Sequence, residues 1–224
     1  MARKVIVAAA AAAVLFIAVT AASADHAWNG YHWRSDNRAP TVADKTSSTA
    51  FDVPAAVAEW RNLGTPIVPQ MTAGSADVEV VVKRMNANWL GVARISVDSS
   101  TGHIQAGRVE LNQLYLNSLT FAQWDHVVCQ ELGHIWGLDH NFDGATGGIP
   151  DNTCMNSSLH LGEYTSPNSH DAEQLNAIYN HIDTTGGGGD GGGGGGGCPP
   201  GNPDHPKCNP ASGSWITVHT FRAR

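Results

Sequence analysis

The chain has 224 residues and a formal net charge of −7, with 13 basic against 20 acidic side chains. An acidic chain without a basic patch excludes nucleic acid as a natural partner, because neutralising phosphates takes clustered lysine and arginine. The acidity favours solubility and says nothing of fold.

Residues 1–24 have the pattern of a secretory signal: Arg3 and Lys4, an apolar run from Val5 to Val19, then Ala22-Ser23-Ala24 as a small-residue cleavage site. The run lacks the roughly 20 strongly apolar residues of a membrane span. Cleavage after Ala24 would begin the mature chain at Asp25. The expectation is a secreted protein, extracellular or periplasmic, with no stable membrane association, since no later segment is apolar enough to cross a bilayer. Four cysteines in an exported chain imply two disulfides, with three connectivities open.

The domain is expected over 25–185. Trp28 to Arg38 reads as a leading loop, and Val42 to Thr49 as a short strand. Pro54 opens a helix in its first turn, where its missing N–H costs nothing, with Asp52 or Val53 as cap. Val57, Trp60 and Leu63 form its buried stripe and Gly64 stops it. Ala76 to Arg84, Leu90 to Val97 and His103 to Leu111 read as strands, joined by turns rich in Gly, Asn and Ser. A helix, then strands, then a long helix is an α+β order.

The long helix starts at Thr120, where Thr120-x-x-Gln123 makes a capping box. Phe121, Trp124, Val128, Leu132 and Ile135 recur at helical spacing on the core side. His126, Gln130 and His134 recur every four residues on another face. Gly137 ends the helix with a sharp turn. A last helix is expected from about His170 to His181, burying Leu175, Ile178 and Ile182.

Residues 186–197 are glycine apart from Asp190, a flexible linker without capacity for a core. Residues 198–224 form a tail whose Cys198 and Cys208 flank a proline-rich loop and are expected to pair with each other. Trp215 to Phe221 alternate well enough for one strand.

The stretch His126 to His140 reads H-V-V-C-Q-E-L-G-H-I-W-G-L-D-H. Its core, Q-E-x-x-H-x-x-G-x-x-H, resembles the metzincin motif H-E-x-x-H-x-x-G-x-x-H, with Gln130 where the family has its first histidine. Met155, in Asn152-Thr-Cys-Met-Asn-Ser157, stands where metzincins carry the methionine turn. The resemblance covers about Trp28 to Ile182 and is nearest to the matrixin-like secreted members. It implies a zincin domain: a twisted, mostly parallel sheet, a long active-site helix and a C-terminal helix. It further implies a secreted zinc metalloendopeptidase with Glu131 as general base and His134 and His140 as Zn2+ ligands. Protein or peptide would be the substrate and the chain a monomer. Cys129 and Cys154 directly precede Gln130 and Met155, so the resemblance also implies a Cys129–Cys154 disulfide.

Gln130 leaves three outcomes open. Its amide oxygen reaches as far from Cα as an imidazole Nε2, so it could be a third, weaker ligand. Water could take its place. Or the scaffold could be catalytically inactive and kept as an exported binding protein. His126 is a less apt substitute, one helical turn away. Asp139-x-Asn141-x-Asp143-Gly144 begins like a calcium loop, but Pro150 stands at position twelve instead of glutamate, leaving only a candidate structural Ca2+ site. His160 and His170 read as surface residues, and Tyr164 has no assigned role. Before the first helix there is no cysteine to act as a zinc-blocking switch.

Overall fold

The structure is a computed structural model, and it describes residues 26–141, 152–156, 161–183 and 215–222. The signal segment, the glycine linker, Cys198, Cys208, His160, Asp143, Gly144 and Pro150 lie outside the described residues.

The elements in chain order are β1 (His32–Trp33), β2 (Thr41–Asp44), α1 (Val53–Asn62), β3 (Gln70–Met71), β4 (Val78–Lys83), β5 (Trp89–Val97), β6 (His103–Asn112), α2 (Phe121–Ile135), α3 (Ser169–Tyr179) and β7 (Trp215–Arg222). They make one α+β unit. The sheet runs β3-β2-β4-β6-β5-β7, with β1 added beside β6. The pairs β1–β6, β2–β3, β2–β4 and β4–β6 are parallel, whereas β5 is antiparallel to both β6 and β7. The mostly parallel sheet, the long helix and the C-terminal helix are therefore present.

Local chemistry explains the helices. Asp52 caps α1 by accepting from Ala55 N at 2.9 Å, and Pro54 sits in the first turn. Thr120 and Gln123 form the reciprocal capping box of α2. Asn168 and Asp171 do the same for α3.

α2 lies on β5 and β6, and α1 packs against α2. From His126 to Ile135 every residue of α2 is buried, so this helix runs through the core, with protein on all sides. Close approach requires glycine on β5: a Cβ at Gly91 would stand 2.8 Å from both Val127 Cγ1 and Glu131 Oε1. Trp33, Trp60, Trp124 and Trp136 are each fully buried around α2.

Three expectations fail at the ends of elements. Phe121 is 54% exposed, because the first turn of α2 projects beyond the core it enters. α3 ends at Tyr179, so Ile182 lies past the helix and is 80% exposed. His170 is not a surface residue: its side chain is 12% exposed and its ring centroid lies 5.1 Å from that of His26. The leading loop is also more structured than its composition implies. Trp28 N donates to Gly137 O at 2.8 Å, Asp139 N to His26 O at 2.6 Å, and the Trp33 indole to Ile135 O at 2.9 Å. Residues 26–33 thus form a strap across the C-terminal end of α2.

Cys129 of α2 and Cys154 are joined by a disulfide across a sequence separation of 25. Closing a loop of that size restricts the unfolded chain by about 3 kcal/mol. A Cys129→Ala/Cys154→Ala chain should lose stability on that order in urea unfolding, and unchanged stability would refute the estimate. β7 pairs along the outer edge of β5, and an uncovered edge invites pairing between chains. Ending the chain after Asp183 should leave the far-UV spectrum of the domain in place while producing concentration-dependent association in light scattering. A truncated chain that stays monodisperse at the same concentrations would count against the protective role.

Candidate metal centre

α2 brings Gln130, Glu131 and His134 into the interior, each exposed by 1% or less. Gln130 and His134 are four residues apart and so share one face, about one turn from each other. His140 arrives from the chain beyond the helix. Its approach depends on Gly137, whose φ is +98 and whose Cβ, were it present, would stand 2.3 Å from Tyr31 O. The rings of His134 and His140 then lie with centroids 4.7 Å apart.

The orientation of each donor follows from its other contacts. His134 Nδ1 lies 2.8 Å from Leu138 O. A carbonyl only accepts, so Nδ1 carries the proton and the neutral ring presents Nε2 as its lone-pair nitrogen. The same logic fixes Gln130. Its side-chain nitrogen donates to Asn156 O at 2.5 Å, which fixes the amide's orientation and turns Oε1 away. That oxygen is buried and accepts no hydrogen bond among the described residues. A buried amide oxygen left this way costs about 1–3 kcal/mol unless something else meets it. The donor set of two imidazoles and one amide oxygen thus fits a cation, and zinc accepts N and O ligands together.

His126 has a different fate. Its Nδ1 accepts from Gly162 N at 3.2 Å, so in the neutral ring Nε2 carries the proton and has no lone pair for a metal. The structure therefore does not offer His126 in place of Gln130.

Met155 is fully buried beside α2. It packs so tightly on α2 that a Cβ at Gly133 would stand 2.2 Å from its sulfur and 2.8 Å from the Trp60 ring. Asn141 N donates to Met155 O at 2.8 Å, binding the chain after His140 to the segment under Gln130. The Trp60 indole donates to Cys129 O at 3.0 Å, and Thr153 Oγ1 to Asp171 of α3. Burial pushes the Asp171 carboxyl above its ordinary range, opposed by the hydroxyl and by its neighbours. Tyr179 also serves the strap: its hydroxyl, held protonated by burial, donates to Trp136 O at 2.9 Å and accepts from Trp33 N at 3.2 Å.

Of the predicted residues, Gln130, Glu131, His134, His140 and Met155 are thus brought to one place. The candidate calcium loop is described only at Asp139 and Asn141. Asp139 Oδ1 accepts from His140 N at 2.7 Å, a local turn contact. Sequence reasoning passed over Gly91, Leu138 and Asn156, which act through space or through backbone carbonyls and leave no residue-type signature. It also passed over Asn112, fully buried, whose side chain donates to Met85, Ala87 and Trp89 carbonyls at 3.1, 3.2 and 2.8 Å. That amide shapes the loop leading into β5, just ahead of Gly91.

No protein-family model matches the sequence, and no curated protein matches it. Among solved structures the chain is similar to myroilysin, at 11% identity over 69% of this chain and 98% of that one, with a TM-score of 0.42. It is also similar to high choriolytic enzyme 1, a hatching enzyme zinc-protease from Oryzias latipes, at 12% identity over 68% of this chain and 96% of that one, with a TM-score of 0.36. A crystal structure of myroilysin gives 14% identity over 71% of this chain and 69% of that one, with a TM-score of 0.32. Likenesses this loose decide nothing about chemistry, which rests on the side chains themselves.

Proposed function

We propose that the chain is a secreted, zinc-dependent metalloendopeptidase of the metzincin type. Gln130 Oε1, His134 Nε2 and the ring of His140 hold the metal, and Glu131 is the general base. The observation that carries this reading is the tethered amide of Gln130. Its nitrogen is tied to Asn156 O, and its buried oxygen accepts no hydrogen bond among the described residues. A helix surface with no ligand to hold would gain nothing from burying that oxygen.

Zinc bound there would supply a Lewis acid that acidifies water and polarises a peptide carbonyl. Glu131, adjacent to Gln130 and packed against Gly91 of β5, would take the proton from the attacking water. It would return that proton to the departing amine nitrogen as the C–N bond breaks. Leu138 O holds His134 in its ligating tautomer throughout. Met155 and the Cys129–Cys154 bond keep the 153–156 segment against α2.

A second reading, an inactive exported binding protein on the same scaffold, is favoured by one feature: an amide oxygen is a weaker zinc donor than imidazole. The two separate in a cleavage assay of an unfolded protein substrate by the chain from Asp25 onward. The peptidase reading expects activity that a chelator removes and zinc restores. Glu131→Ala should lower it by about 10²–10⁴-fold, the usual worth of a general base, and Gln130→His should retain it at lower zinc concentration. Activity in Gln130→His alone would select the binding protein. Chelator-resistant activity in Glu131→Ala would overturn the assignment of the base.

A further inference from the structure

Outside that centre, three imidazoles converge on one carboxylate oxygen. Asp183 Oδ1 lies 3.3 Å from His32 Nε2, 3.1 Å from His103 Nε2 and 3.0 Å from His181 Nε2. His32 Nε2 and His181 Nε2 are themselves 3.0 Å apart. Four ligand atoms placed tetrahedrally around zinc at its usual bond lengths stand about 3.3 Å from one another. Among His32 Nε2, His181 Nε2 and Asp183 Oδ1 all three separations match that spacing to within a few tenths of an ångström, while His103 meets only the carboxylate. The His32 and His181 ring centroids are 4.7 Å apart, the same separation as between His134 and His140.

The hydrogen-bond accounting also favours a cation. His32 Nδ1 lies 2.7 Å from Gly30 O, so Nδ1 holds the proton and Nε2 offers a lone pair. That lone pair faces an anionic oxygen and a second Nε2. One N–H on His181 has to serve two acceptors, His32 Nε2 and Asp183 Oδ1, both at 3.0 Å. A cation among His32 Nε2, His181 Nε2 and Asp183 Oδ1 would satisfy these lone pairs at once. The outer contacts are those of ordered ligands: Gly30 O orients His32, and Ser35 N donates to Asp183 Oδ2 at 2.6 Å, leaving Oδ1 to the histidines.

We propose that His32, His181 and Asp183 hold a zinc ion, separate from the His134–His140 centre and independent of any peptidase activity, with His103 steadying the carboxylate. Two nitrogens and one oxygen supply three corners of a tetrahedron, and water would take the fourth. The three ligands come from β1 and the chain just after α3. The metal would therefore staple the strap to the segment that follows the last helix. His181 is the most exposed of the three side chains, at 31%, and gives the ion its way in.

The test counts metal in the chain from Asp25 onward after dialysis against a chelator and titration with Zn2+. Co2+ serves as the spectroscopic probe of tetrahedral geometry. With His134→Ala/His140→Ala removing the other centre, one zinc should remain bound, raise the melting midpoint and give a tetrahedral cobalt spectrum. Adding His181→Ala, at the most exposed ligand, should abolish all three signals, and His32→Gln in its place should do the same. The proposal is overturned if the His134→Ala/His140→Ala chain takes up no zinc, which would make the cluster a plain hydrogen-bond network. It is equally overturned if zinc stays bound after His181→Ala and after His32→Gln.

Discussion

The structure turns on the burial of a polar helix face. α2 carries His126, Gln130, Glu131 and His134 into an interior where each is exposed by 1% or less. Polar groups taken out of water without partners cost on the order of 1–3 kcal/mol each, enough together to exhaust the stability of an ordinary domain. The chain therefore spends much of its irregular structure meeting that face. Gly162 N serves His126, Asn156 O serves Gln130 and Leu138 O serves His134, while Gly91 makes room for Glu131. Three of these four partners are backbone groups, and the fourth is a residue with no side chain. Backbone partners are rigid and carry no charge of their own, so they orient the polar atoms without neutralising them.

Bracing follows from the same constraint. Loops are poor places to hold a backbone carbonyl to tenths of an ångström, so the segments that supply these partners are tied at several points. The 153–156 segment is bonded covalently through Cys154, packed through Met155 against Gly133, and hydrogen-bonded to Asn141, Ser166 and Asp171. The 137–139 turn is held from outside by His26 and Trp28 of the strap. The strap is in turn anchored at Trp33 and Tyr179. Several of these braces return to α2 itself, at Cys129, Gly133 and Ile135.

Much of this was legible in the sequence where the signal is local. The capping box of Thr120 and Gln123, the cap at Asp52 and the β-branched run of β4 rest on spacings within a few residues, and the structure has all three. Phe121 and Ile182 failed because helical periodicity gives a face but not where the core stops along the axis. β1 and β3 are two residues each, too short for any period to register. The His32–Asp183 contact joins residues 151 apart in sequence, and each histidine alone looks like an ordinary surface residue. Only the parallel pairing of β1 with β6, which sets His32 opposite His103, brings the two histidines to the same carboxylate.

The tethered amide bears on why a glutamine can stand where a stronger donor would be expected. Binding loses free energy whenever a side chain must be frozen on arrival of the ligand, about 0.5–1.5 kcal/mol for a flexible one. Gln130 has already been frozen, by its bond to Asn156 O and by burial. Its oxygen also gives up no hydrogen bond among the described residues when a cation comes. A mobile surface glutamine would lose both its rotamer freedom and its hydration. The difference offsets part of the deficit of amide oxygen against imidazole nitrogen, and it depends on the 153–156 segment staying in place. In the proposed metal site the disulfide and the Met155 packing would therefore act on metal affinity through Gln130 as well as on the stability of the fold.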